Sequence, residues 1–143
     1  MGLTVVQLAD AGDDRGSSFS LPRVWNAFLP PAQDAHITTI LPGQTRGNHF
    51  HPARREVIVL LYRDAWTLAW DAGEGTEVHR RDFAGGGAAL LLVEAGAAHA
   101  ITNTGARDLV AVALRDKPYD PAHPDTVPRD LHPAAPGPRG TKA

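Results

Sequence analysis

The chain reads as an all-β protein, a two-sheet sandwich or jelly-roll barrel. Short apolar-rich runs recur at even intervals between residues 36 and 115, and Gly, Asp and Pro punctuate them. No stretch carries the sustained 3.6-residue periodicity of a long helix. At 143 residues the chain fits one domain with a single modest core.

Taken in order, residues 3–8 alternate weakly between apolar and polar and predict an edge strand. Residues 11–20 are rich in Gly, Asp and Ser and read as a loop. Residues 21–29 form an aromatic-containing segment, punctuated by Pro22 and stopped by Pro30 and Pro31. Strands are predicted over 36–41, 47–51, 56–62, 65–71, 76–83, 88–93, 98–102 and 109–115. Residues 71–75 and 103–108 supply turns in which glycine accepts a positive φ. Seven of the twelve prolines follow Asp116, so residues 116–143 are set apart as a proline-rich strap that cannot form a helix or a central strand. Tyr119 is expected to fix that strap to the barrel, and the end beyond Leu131 to fray. The barrel with its N-terminal extension then spans 1–115, with its core over 36–115.

Composition excludes several classes. The net charge is −2 and the basic residues are scattered, which is no nucleic-acid footprint. The pairs Arg54-Arg55 and Arg80-Arg81 read as solvated turn residues. There is no cysteine, hence no disulfide and no thiolate ligand, which fits a reducing compartment. The first residues lack a basic stretch followed by a long apolar one, and no run approaches the length of a membrane span. A cytoplasmic protein without membrane or nucleic-acid partners is expected.

The chemistry concentrates in residues 43–56, where Gly43, His49, His51 and Glu56 give Gly-x5-His-x-His-x4-Glu. Two histidines one residue apart on a strand share a face, roughly 6.5–7 Å apart at the backbone, within reach of one metal ion. Glu56 can join them from the next strand. It shares its face with Ile58, Leu60 and Tyr62 and so points into the barrel, where a lone carboxylate is costly unless paired or metal-bound. His99 follows in Gly96-x2-His99-x3-Asn103. Three imidazoles and a carboxylate suit one divalent transition metal, zinc first and otherwise iron, manganese or nickel. The alternative for His99 is a core histidine in an apolar run.

Other candidates are weaker. His36 opens the strand before the first motif, as a substrate contact or a surface residue. Tyr62 is either a proton donor or a barrel-filling ring. Trp66, Leu68 and Trp70 share one face and read as core, although Trp70 at a barrel mouth could stack on a sugar or base. Arg46, which could clamp a phosphate or carboxylate, and Asn48 flank the histidines as substrate contacts. His79 reads as exposed, and His123 and His132 belong to the tail.

These two blocks resemble the paired signature motifs of the cupin superfamily, which implies a cupin jelly-roll barrel (a double-stranded β-helix) across residues 37–114. The sequence departs from the pattern at Arg63, where a glycine closes the first block, and at Glu94, where the second carries a proline. Its leading glycine is displaced into 85–87. The stretch Thr45-Arg46-Gly47-Asn48-His49-Phe50-His51 is similar to that of cupins acting on nucleotide sugars. The likeness is strongest to the C-terminal cupin domain of bifunctional capsular-polysaccharide epimerase–reductases, and residues 119–126 are similar to the end of that domain. The resemblance implies zinc at His49, His51, Glu56 and His99 and proton transfer next to a ketone, with Tyr62 or His36 shuttling the proton. Metal-free nucleotide-sugar ketoisomerases resemble the same motif, and there His49 and His51 would serve as acid and base. An Fe(II)-dependent oxygenase and a non-catalytic metal- or ligand-binding cupin are the other two readings. A homodimer formed through edge strands is expected.

Overall fold

The computed structural model describes residues 1–131. Ten strands and one short helix follow in the order β1 (Leu3–Gln7), α1 (Val24–Phe28), β2 (Asp34–Ile40), β3 (Thr45–Phe50), β4 (Glu56–Tyr62), β5 (Trp66–Trp70), β6 (His79–Phe83), β7 (Gly87–Val93), β8 (His99–Asn103), β9 (Leu109–Arg115) and β10 (Val127–Pro128). They form two five-stranded sheets, β1-β7-β4-β9-β2 and β10-β3-β8-β5-β6. Every pairing is antiparallel. The sheets face one another as a jelly roll, as the strand pattern predicts.

Strand alternation builds the interior. Ile58, Leu60 and Tyr62 of β4 meet Leu91 and Ala89 of β7, Ala111 and Ala113 of β9, and Trp66, Leu68 and Ile101 of the opposite sheet in one buried cluster. The outer positions of the first sheet, Val57, Leu90 and Leu92, are covered in turn by Leu29 and by Trp25 and Phe28 of the N-terminal segment. Parallel apolar rows on both faces explain why β4 and β7 are nearly continuous hydrophobic runs. The helix α1 departs from the sequence reading. At five residues it is too short to leave a periodic signature, and it serves only to lay Trp25 and Phe28 on the sheet.

The strap behaves differently from the expectation in one respect. Tyr119 is 55 % exposed and fixes nothing. The attachment lies further on, where β10 pairs with β3 (Val127 opposite Phe50, Pro128 opposite His49). Proline is tolerated there because β10 is an edge strand. Leu131 is buried against Ala69, Ala98 and Ala100. The frayed end and His132 lie outside the described residues. Arg54 is a second correction: it is buried, not solvated, although its neighbours Ala53 and Arg55 are exposed.

Candidate functional site

The site forms at one mouth of the barrel, where the ends of β3, β4, β8 and β9 meet. Its geometry starts at Gly47. The register of β3 against β8 shifts between Gly47 and His49, so Asn48 is an extra residue in a β-bulge. Gly47 has φ +108°, and a Cβ there would meet the His99 carbonyl oxygen at 2.5 Å; only glycine fits. Asn48 takes φ 55°, a region asparagine tolerates better than most residues. The bulge also resets the alternation. Arg46 pairs with Ile101 and His49 with His99, both interior positions of β8, although His49 is an odd step of three positions on from Arg46.

Three imidazoles and one carboxylate converge there. The His49 ring lies 5.0 Å from that of His51 and 5.0 Å from that of His99, centroid to centroid. Glu56 Oε1 stands 3.5 Å from His51 Nε2 and 3.4 Å from His99 Nε2. His51, Glu56 and His99 are all buried, yet His51 Nε2 and Glu56 Oε1 have no hydrogen-bond partner among the described residues. These four side chains are the candidate ligands named from the sequence.

The other oxygen of the carboxylate is fully engaged. Arg115, directly opposite Glu56 in the β4–β9 ladder, donates from Nε to Glu56 Oε2 at 2.9 Å. The same guanidinium donates to Asp34 Oδ2 at 3.1 Å, and its third nitrogen lies 3.3 Å from His36 Nε2. Burial alone would raise the Glu56 carboxyl, but His51, His99 and Arg115 hold it well below the usual carboxylate range. Burial, reinforced by His99 and His51, pulls His49 down to about 4. Burial also lowers His99, against the pull of Glu56. His49 and His99 are therefore neutral near pH 7, with lone pairs to offer.

A cavity of about 400 Å³ opens over this cluster, walled by His36, Thr38, Arg46, His49, Glu56 and Arg115 among others. Arg46 reaches from β3 to the Thr39 carbonyl of β2 (3.1 Å) and bridges the two sheets at the rim. Partial burial and then Arg115 lower His36, which keeps its ring neutral at pH 7.

The remaining sequence candidates stand elsewhere. Tyr62 lies at the opposite end of β4, its ring packed on Trp66 and Phe83 and its hydroxyl accepting from Gln7 Nε2 at 2.8 Å. Asn48 turns its side chain to the strap, where Oδ1 accepts from Leu131 N at 3.0 Å. Trp70 is in register with His99 but stacks on His79, which is half-buried, and does not line the cavity. The residue missed by sequence reading is Arg115. Its signal was present in parity: Ala111 and Ala113 face inward on β9, and the next inward position is an arginine.

A family model described as the polysaccharide biosynthesis C-terminal domain matches residues 11–127. No curated protein matches. Among solved structures, the capsular polysaccharide assembling protein CapF from Staphylococcus aureus superposes with a TM-score of 0.60 at 24 % identity, over 87 % of this chain and 34 % of CapF. The chain thus spans about a third of that protein's length. A dTDP sugar isomerase from Desulfovibrio desulfuricans gives a TM-score of 0.70 at 12 % identity, over 92 % of this chain and 86 % of the other. NovW, a 4-keto-6-deoxy sugar epimerase from Streptomyces spheroides, gives 0.67 at 18 % identity, over 85 % and 66 %. At these identities the likeness is one of fold, and that fold is the cupin barrel. With the family model matched over most of its length, the chain belongs to the polysaccharide biosynthesis C-terminal domain family.

Proposed function

We propose that the chain is a metal-dependent epimerase or isomerase that moves a proton next to a carbonyl on a nucleotide sugar or a similar polar biosynthetic intermediate. One observation carries the metal. His51 Nε2 and Glu56 Oε1 face each other 3.5 Å apart, buried and unpartnered. With Nδ1–H turned to the Asp125 carbonyl, a neutral His51 ring and the carboxylate would face each other as two acceptors, an arrangement that a cation between them relieves. The spacing of Glu56 from His51 and from His99, 3.5 and 3.4 Å, supports the reading, since donors about 2.1 Å from one tetrahedral ion lie about 3.4 Å from each other. His49, His51, Glu56 and His99 would hold it. Zinc suits the donors best, with iron, manganese or nickel admitted by the same set.

A metal bound there supplies Lewis-acid stabilisation of charge developing on a substrate carbonyl oxygen. The chain's own residues do the rest. Arg46 at the rim pairs with a phosphate or carboxylate of the substrate. His36, neutral and on the cavity wall, accepts the proton through the nitrogen that faces Arg115 in the free protein. The substrate class draws its support from the isomerase and the epimerase that share the fold. The same reading takes the protein as a cytoplasmic homodimer. Its support is β2, an edge strand with Ile37 exposed on it and Leu41 exposed just past its end.

The test is proton exchange. UDP- and dTDP-linked 4-keto-6-deoxyhexoses are incubated in D2O with zinc-loaded protein, and deuterium uptake next to the ketone is followed by NMR. Uptake is expected, and His36→Gln should slow it by about 100-fold or more. Only the neutral ring accepts a proton, so uptake should hold through pH 7 and fall on acidification. Metal-loaded protein that exchanges no member of the panel overturns the reading.

A further inference from the structure

We propose that the C-terminal strap sets the tautomer of His51 and so completes the ligand set from outside the barrel. The proposal rests on the metal-centre reading above. The strap backbone reaches the back of the ring: the Asp125 carbonyl oxygen lies 2.5 Å from His51 Nδ1. A carbonyl only accepts, so the hydrogen sits on Nδ1, and in the neutral ring Nε2 is left with its lone pair toward Glu56. A metal-ligating imidazole needs that arrangement, and groups that impose it are worth about 10–100-fold in metal affinity. Thr126 Oγ1, 3.4 Å from the same nitrogen, is the second strap atom there. Asp125 is itself pinned, because its Oδ2 accepts from Ala53 N at 3.0 Å.

The strap's anchors adjoin the ligands in sequence but end on other groups. Arg129 makes a two-pronged ion pair with the buried carboxylate of Asp71, Nε to Oδ2 at 2.9 Å and the terminal nitrogen to Oδ1 at 2.8 Å. It also donates to the Gly96 carbonyl at 2.9 Å and lies 4.3 Å over the Phe50 ring. Its backbone N–H reaches the carbonyl of Asn48, the bulge residue, at 2.8 Å. Leu131 fills the alanine-lined hollow on the outer face of β5 and β8. The side-chain hydrogen bonds of Arg129 end on Asp71 and Gly96 and not on a ligand; Asp71 Oδ1 also accepts from Ala98 N at 2.9 Å, next to His99, and an asparagine at 71 keeps an acceptor oxygen for it, so the docking can be loosened without removing a ligand. The geometry makes the coupling reciprocal: a strap that favours the metal-binding tautomer is in turn held more firmly when metal is bound.

The test compares wild type with D71N/R129Q in the full chain. The double substitution removes the ionic clamp without stranding a buried carboxylate. Three quantities are read: protease cleavage within residues 117–128, zinc affinity by competition with a chromophoric chelator, and the His51 ring by long-range 1H–15N NMR of metal-free protein. The expected result is a cleavable strap, a zinc dissociation constant raised about 10–100-fold, and a ring that is Nδ1–H in wild type but mixed in the variant. A strap that is cleaved while zinc affinity and ring spectrum match wild type overturns the proposal. If wild type binds no zinc, the metal reading fails separately, and the ring spectrum alone decides: one tautomer lost in the variant supports the strap's role, and identical rings overturn it. Should D71N/R129Q lose its cooperative urea transition, Leu131→Ser carries the same comparison.

Discussion

The two ends of strand β4 face the same interior and do opposite things. Glu56 and Tyr62 point into the barrel from the same side of one strand, six residues and roughly 20 Å apart. At the Glu56 end the interior is polar, with three imidazoles, a carboxylate and Arg115 arranged around a cavity. At the Tyr62 end it is filled. Trp66 and Phe83 stack at 4.0 Å with 4° between their planes, and Tyr62 packs on both edges. The difference teaches that alternation tells which face a side chain takes but not how deep in the barrel it lies. One end buys rigidity from ring packing, and the other keeps unpartnered donors in place on the frame that this provides.

The largest effect should come from Glu56→Gln. The amide keeps the shape and removes the charge that His51, His99 and Arg115 surround. Metal measured by inductively coupled plasma mass spectrometry should fall from near one per chain to background, and proton exchange by more than about 100-fold, since a ligand matters more than the groups that orient it. Circular dichroism should stay native, because Arg115 keeps Asp34 as its partner. A variant that holds metal as wild type does would remove the distinction between the two ends.

Trp66→Ala probes the filled end. The indole is fully buried and stacked, so truncation should cost about 3–5 kcal/mol of unfolding free energy in a urea titration. Zinc affinity of the folded fraction should be unchanged. If affinity falls in step with stability, the mouth is not independent of the floor and the comparison has to be redrawn as one cooperative unit.

Much of this was legible in the sequence, for identifiable reasons. Strand positions follow from apolar runs between turn residues, and β4, β7 and β9 lie within a residue of their predicted bounds. The sharing of a face by neighbouring histidines follows from alternation, a local rule, and the joining of His99 to them from the resemblance that the two motif blocks carry. What escaped depends on relations between distant segments. Nothing local says that Arg115 stands opposite Glu56, or that Asp71 pairs with Arg129 across 58 positions. Asn48 looked like a substrate contact because a bulge cannot be seen in a residue pattern that assumes strict alternation. Tyr119 is the expected contact of the strap, whereas the hollow on the outer face is lined by alanines and takes Leu131, a fit that depends on residues far away in the chain.

The smallest effect expected is that of Tyr62→Phe, and it separates the two readings of that residue most cleanly. The hydroxyl accepts from Gln7 Nε2, which also donates to the Ala88 carbonyl at 3.1 Å. Removing the hydroxyl therefore leaves Gln7 with a partner, and the loss should be about 1 kcal/mol or less. Gly87 lies against the ring so closely that an added Cβ would meet the hydroxyl at 2.9 Å, so the floor is tight and the phenylalanine ring keeps its place. Proton exchange should be unchanged. A proton-donating Tyr62 would instead make the same substitution cost about 100-fold or more in rate. The two expectations for exchange differ by at least two orders of magnitude, whereas those for stability barely differ. A rate equal to wild type assigns Tyr62 to the floor and leaves His36 as the group at the mouth with a proton to move.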